Sequence, residues 1–396
     1  MKKRIVSTLL ALCMLLCLMP TAAFAEESTE TPPVCSCETA CTAESMNTDC
    51  PVCGAEGALP ENCAKCAQPA DAAAVQPEGE VSNPQPETAL TALSGEGVTP
   101  AAGETVRDVR TADELTAAIA DSSVNTVKLA GNISISSSLT VTRTVTLDLN
   151  GHVLKYVGES KGSVIVVEGS GKLTLTDSGD KKVHKFDKSV MPWALVLDDA
   201  TGENIVDVSG GVITGGTGKP IQYGYGEYVY NAYYGGGVYI ANGQLTMTGG
   251  SIVGCSAEFG GGVYIARGGQ LTMTGGNTMS GGNIIGCSAE CGGGVYVDSE
   301  SNQSPFSMSG GSIIGCVASD IGGGVRASGT FKMSGQAVIR SCTVESATQS
   351  IYGGGIFVNS SSSFEMSGEA KIEYCQAISN SSKSSNGGGV YLTNNT

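Results

Sequence analysis

The sequence predicts an all-β fold, a parallel β-helix solenoid, on three observations. Glycine supplies 56 of the 396 residues while aromatic residues make up only 5 %, which suits short strands joined by tight turns. From Gly235 onward, three glycines followed by an aliphatic residue return at intervals of 25, 32, 30, 31 and 34 residues. Between them recur two further elements, Leu/Phe-x-Met-Ser/Thr-Gly and Ile-x-x-Cys, so each period holds three short strands and three turns. Intervals that vary only between fixed elements place the insertions at turns. The glycines come in clusters and not at every third position, which excludes collagen.

The chain opens with a different texture. Lys2, Lys3 and Arg4 precede an apolar run from Val6 to Met19 and the small-x-small sequence Ala23-Phe24-Ala25, so residues 1–25 read as a secretory signal peptide. That run is too short to span a bilayer, and the mature chain is expected to carry no membrane span. Residues 26–66 form a cysteine-rich module, Cys35-x-Cys37-x3-Cys41-x8-Cys50-x2-Cys53-x9-Cys63-x2-Cys66. Two readings stay open for it. Secreted chains commonly staple such segments with disulfides, whereas the pairs Cys50/Cys53 and Cys63/Cys66 have the spacing of a tetrahedral zinc site. No other cofactor is expected. Residues 67–104, rich in Ala, Pro, Glu and Gly and free of aromatics, read as a disordered linker.

Residues 105–396 are the β-helix. At its head, Thr111 is an N-cap with Glu114 three residues on, and Leu115, Ala118 and Ile119 share one face. A short helix there would cap the exposed end of the parallel sheet. Strands follow over Thr126–Leu129, Leu139–Val141, Val145–Leu149, Val164–Val167 and Leu173–Thr176. In the explicit repeats, alternation points Val238 and Ile240 inward and Tyr239 outward, Leu245 and Met247 inward and Thr246 outward. Stacked coils then form inner ladders of Val/Ile, Leu/Phe, Met and Ile. Cys255, Cys287, Cys316, Cys342 and Cys375 fall into one further column, read as small buried apolar residues because parallel stacking orients them poorly for disulfides. Cys291 stands outside that column, close enough in sequence to Cys287 for a local pairing.

These residues resemble the right-handed parallel β-helix of the pectin-lyase-like superfamily. The stretch from Thr126 to Leu154, ending Leu147-Asp-Leu-Asn-Gly-His-Val-Leu154, resembles the first coils of such domains behind their capping helix. Ile252-Val-Gly-Cys-Ser-Ala-Glu-Phe-Gly-Gly-Gly-Val-Tyr264 is similar to the repeat of polymorphic outer-membrane proteins, with Ile for Phe, Cys for Asn and a third Gly for Ala. The resemblance implies a bacterial surface protein of the adhesin type, and it carries no catalytic residue across. Nothing like the transporter barrel of the outer-membrane members is present in the sequence.

Formal charge is −16, and −19 without Lys2, Lys3 and Arg4, so the chain lacks the basic footprint of a nucleic-acid or anionic-membrane binder. Enzyme chemistry on this fold needs clustered carboxylates. Here Asp198-Asp199 are the only adjacent aspartates in the repeat region, followed by the polar turn Ala-Thr-Gly-Glu-Asn, and the two histidines, His152 and His184, sit in polar turn contexts. The lysines Lys181, Lys182, Lys185 and Lys188 read as a solvated loop. Binding has better candidates. The segment between Gly216 and Gly235 holds Tyr223, Tyr225, Tyr228, Tyr230, Tyr233 and Tyr234, six of the chain's 13 tyrosines, and tyrosine suits sugar or protein contacts. Those rings could instead fold onto the rod and be buried. A second candidate is the outward column Tyr239, Tyr264, Tyr296, Phe357 and Tyr391, interrupted by Arg326, which also serves as sheet stacking.

The expected function is therefore a secreted, cell-surface, non-enzymatic and adhesin-like protein that binds a host or microbial glycan or a matrix protein through turn loops. A carbohydrate-active enzyme, either a polysaccharide lyase or a glycoside hydrolase, is the competing class, and a purely structural stalk is the third. Gly387-Gly-Gly-Val-Tyr-Leu392 begins a new coil close to the last residue, so the sequence is also expected to continue in a longer reading frame.

Overall fold

The computed structural model describes residues 105–179, 181–225, 228–275, 282–298, 305–380 and 382–393. All belong to the second of two units of the chain, Ser94–Thr396. The signal segment, the cysteine-rich module with Cys50, Cys53, Cys63 and Cys66, and the linker lie outside the described residues.

Three long parallel sheets build a right-handed β-helix. Sheet I has nine strands, from Val106–Val109 and Thr126–Leu129 to Ser363–Met366; sheet II has eight, from Ile133–Ile135 to Lys371–Glu373; sheet III has eight, from Leu139–Val141 to Val390–Leu392. One coil takes one strand from each, as in Val238–Ile240, Gln244–Met247 and Ser251–Val253. Nine strands at about 4.8 Å give a stack about 40 Å deep. Like residues pair across coils as the repeat spacing predicts: Leu245 with Leu271, Met247 with Met273, Phe306 with Phe331, and Ile252 with Ile284.

Helix α1, Ala112–Ala120, caps the head of the rod. Thr111 Oγ1 accepts from the Glu114 amide at 3.2 Å, while the Glu114 carboxylate reaches back to the Arg110 amide at 2.7 Å, one residue earlier than a standard capping box. Leu115, Ala118 and Ile119 are buried. At the other end of the helix Arg143 donates to the carbonyls of Ile119 and Ala118, satisfying groups that have no partner within the helix. The strand Val106–Val109 ahead of the helix is not apparent in the sequence, because three of its four residues are exposed and no apolar alternation marks it.

Inside, the ladders are dry. Val238, Ile240, Met247, Ile252 and their counterparts are fully buried until the last coil, where Ile372 and Val390 are half-buried and Met366 and Leu392 exposed. The five column cysteines are free thiols, buried apart from the half-buried Cys375. Each Sγ donates to the backbone carbonyl two residues earlier, Cys287 to Ile285 at 3.5 Å for example. Burial, then hydrogen bonding with Cys287 and Cys342, pushes the Cys316 thiol well up. Cys291 is also free and does not pair with Cys287; its Sγ lies 3.7 Å from Asp320 Oδ2.

The third glycine of the first five triplets is required by this packing. A Cβ on Gly294 would lie 2.6 Å from the Gly324 carbonyl, 2.7 Å from Ile313 Cγ2 and 3.4 Å from Cys316 Sγ. The same contacts recur at Gly262 and Gly324. Glycine here serves close approach of coils, not backbone freedom.

Two excursions leave the coils. Residues 177–211 form an antiparallel sheet of Val183–Asp187, Ala194–Leu195 and Ile205–Ser209. It closes over the outer face of sheet II, burying Phe186 and Val208 against Val153, Val212, Val253 and Ile285. Residues 215–237 form a hairpin of Lys219–Tyr225 and Tyr228–Tyr234. Beyond the hairpin, a fourth parallel strip runs through Ser288–Cys291, Val317–Ile321, Thr343–Ser346 and Gln376–Ser379. The three-strand period does not reveal it, since strands such as Ser288–Cys291 and Thr343–Ser346 are short and largely polar.

Candidate functional site

The tyrosine segment is an ordered ribbon. Tyr223 pairs with Tyr230 and Tyr225 with Tyr228 in the backbone register, and the side chains of Tyr225 and Tyr228 lie outside what is described. At the base, Ile221, Ala232 and Tyr234 pack with Val166, Tyr239 and Tyr264 on the outer face of sheet III. Tyr234 stacks on Phe259 at 5.1 Å and meets Tyr264 edge-on at 4.7 Å. Lys219 adds an ion pair to Glu168 at 3.7 Å and sits 5.0 Å above the Tyr239 ring.

Further out the rings emerge. Tyr223 and Tyr230 stack at 5.9 Å and are 41 % and 64 % exposed, against 8 % for Tyr234. Tyr234 donates its hydroxyl proton to the Tyr223 hydroxyl at 3.0 Å. Burial, then that bond, raises the Tyr234 hydroxyl above the ordinary tyrosine range. One tyrosine therefore anchors the ribbon and two present aromatic faces to solvent. Tyr233, half-buried, carries Lys161 3.9 Å above its ring.

Two clefts flank the excursions. The first, about 260 Å³, lies beside the hairpin and is lined by Lys161, Thr217, Ser256, Glu258, Ser288 and Glu290, among others. Its walls come from one motif repeated in consecutive coils, Cys-Ser-Ala-Glu at residues 255–258 and 287–290, in which Ser256 pairs with Ser288. That duplication was visible in the sequence, although nothing in it showed that the serines and glutamates line a hollow.

The second cleft, about 390 Å³, joins residues that the sequence leaves apart: Asn132, His152, Lys182, His184 and Asp198. Lys182 Nζ is 3.0 Å from His152 Nε2, and the buried His184 bonds the Gly151 carbonyl through Nε2 at 3.1 Å. Burial, then the Lys182 charge, lowers the His152 pKa. Both histidines converge because the 177–211 excursion folds back on the rod, which no spacing rule predicts. Asp198 and Asp199 are exposed in a turn closed by the Ala200 amide on the Leu197 carbonyl. Lys185 is paired with Asp207 at 2.9 Å.

Among the described residues no three His, Cys, Asp or Glu side chains are placed to hold a metal ion. The zinc reading for Cys50, Cys53, Cys63 and Cys66 concerns residues outside that set. Among the described residues no helix is long and apolar enough to cross a membrane.

Curated proteins give no match to the chain. Among solved structures, one titled "L. reuters 100-23 SRRP" aligns with 73 % of this chain and 99 % of its own, at 12 % identity and a TM-score of 0.31. The family comparison falls on the capping helix, the first coils, the sheet II excursion and the start of the tyrosine ribbon. Over residues 106–231 the chain matches the family model described as a putative pectate lyase-like adhesive domain.

Proposed function

We propose that this protein is a secreted, cell-surface adhesin-like module without enzymatic activity, which binds a glycan or a matrix protein through the tyrosine ribbon and the adjoining cleft. The observation that carries this reading is the exposed Tyr223–Tyr230 pair held out from the rod by the buried Tyr234. A rigid base with half-exposed aromatic rings is what a preorganised contact surface needs, since little side-chain entropy is lost on binding. The cleft beside it adds hydroxyl, carboxylate and ammonium groups that fix a ligand's orientation. The match to an adhesive domain over residues 106–231 supports the same class.

The competing class is a carbohydrate-active enzyme, and product analysis separates the two. Full-length protein is incubated with a panel of acidic and neutral polysaccharides, and the same panel is tested for retention of the protein. Retention without new reducing ends or unsaturated products is expected. Depolymerisation that disappears in Asp198→Asn or Asp199→Asn would make the protein an enzyme. Neither retention nor products, on the polysaccharides and on a matrix-protein array, would leave a structural stalk.

A further inference from the structure

Sheet III presents one outward residue per coil, and the register stacks them as Tyr239, Tyr264, Tyr296, Arg326, Phe357 and Tyr391. A tyrosine at position 326 would continue the stack. The arginine there instead places a charge in a half-buried position, with its Nε covered and without a hydrogen-bond partner. The Tyr296 ring, 4.2 Å from the guanidinium carbon, offsets part of the lost hydration through its π face.

No carboxylate within ion-pair distance offsets the rest among the described residues. Asp298, which follows the Tyr296 strand, accepts from the Tyr264 hydroxyl at 2.6 Å. Asp320 lies beside the Cys291 thiol. An unpaired, partly desolvated guanidinium costs folding free energy. A partner arriving from outside would offset that cost.

We propose that Arg326 anchors an acidic protein partner: its guanidinium, set between Tyr296 and Phe357 on the outer face of sheet III, takes a carboxylate side chain presented by another protein. The charge sign fixes the anion, and a planar fork suits a bidentate carboxylate. The surroundings favour a protein over a sugar. Tyr296 and Phe357 flank Arg326 in the register, and Tyr391 continues the column with its ring 5.7 Å from Phe357, so the charge sits in an aromatic stripe. Arginine among tyrosine and phenylalanine is the composition of an interface centre, whereas a saccharide site brings several polar groups together. The chain's net negative charge does not forbid an acidic partner at contact range, because charges beyond about 8 Å are largely screened at physiological salt. The patch lies three coils beyond the sheet III strand Val238–Ile240 that holds Tyr239, so the proposal does not depend on the ribbon's ligand.

The test follows the Arg326 side chain itself in the full-length protein. Nitrogen-15-arginine labelling gives its Nε–Hε signal, assigned by its loss in Arg326→Lys. The probe is a peptide with one glutamate between tryptophan and leucine, and its glutamine twin is the control. The glutamate peptide is expected to shift the Arg326 signal, the glutamine peptide to leave it in place, and Arg326→Lys to weaken binding at least tenfold. Arg326→Met is expected to abolish the response while raising the Tm. Equal response to both peptides, or no response, overturns the proposal. So does a shift caused only by an oligogalacturonate, which would make the site one for acidic sugar. A lower Tm in Arg326→Met would show instead that the guanidinium is a packing element of the column.

Discussion

Trp193 lies on Gly286: a Cβ on that glycine would clash with the indole ring, and the Trp193 amide donates to the Gly286 carbonyl at 2.9 Å. The same side chain and its backbone cover Gly254 and Gly315 in the coils on either side. Beyond the indole, the equivalent positions with positive φ are Ser341 and Tyr374, so a side chain returns once the tryptophan is past. The excursion from sheet I thus ties three consecutive coils together along sheet II.

Removing the tie should free the excursion without unravelling the rod. Trp193→Ala is expected to cost about 2 kcal/mol, below the range for a fully buried tryptophan because Trp193 is only half-buried. Limited proteolysis should then cut within residues 188–200, and circular dichroism should keep its β signal. Gly286→Ala, which meets the ring and holds φ at +57°, should give the same cleavage pattern.

The repeats were legible because coil stacking forces like residues into register. Val238, Leu245, Met247, Ile252 and Cys255 each recur at a fixed place in the period, and all are buried. Helix α1 was legible through Thr111, Glu114 and the Leu115–Ile119 face. The excursions were not, since antiparallel strands such as Val183–Asp187 pair outside the period and their register depends on the surface beneath them. Tyrosine content marked the ribbon, but the split between buried Tyr234 and exposed Tyr230 follows from docking on Tyr264, which has no local signal. The meeting of His152 and His184 was hidden for the same reason.

Close approach at the third glycine predicts a steric penalty with no backbone contribution. Gly294→Ala pushes a methyl into the Gly324 carbonyl and Ile313, and should destabilise by about 1–3 kcal/mol in urea unfolding. Gly169→Ala is the contrast: its added Cβ meets nothing within 4 Å, so only the cost of its positive φ, about 1 kcal/mol, is expected.

Buried thiols make the rod sensitive to alkali. Burial pushes Cys291 up to about 12 from 9.0, and Cys316 is raised as well. Above pH 9 the unfolded chain loses these protons while the folded chain keeps them, so stability falls as pH rises from about 9 towards 12. The pH dependence of the urea midpoint checks this, and Cys291→Ala should reduce the slope. Alkylation mapped by mass spectrometry should leave Cys255, Cys287, Cys316 and Cys342 unmodified in the native protein at pH 8.

Within the ribbon, stability and binding should separate. Tyr234→Ala removes a buried ring stacked on Phe259 and is expected to cost about 3 kcal/mol. Tyr234→Phe keeps the stacking and loses only the bond to Tyr223, at about 1 kcal/mol. Thermal unfolding distinguishes the two.

The most direct measurement compares full-length wild type with the Tyr223→Ala/Tyr230→Ala variant on whichever glycan or matrix protein retains the wild type, with Tm recorded on the same samples. Binding should fall at least tenfold in the variant while its Tm falls only by the few degrees that the lost Tyr234–Tyr223 hydrogen bond carries, since Tyr230 is largely and Tyr223 partly exposed. Unchanged binding at unchanged Tm would contradict the account and move the contact surface off the ribbon.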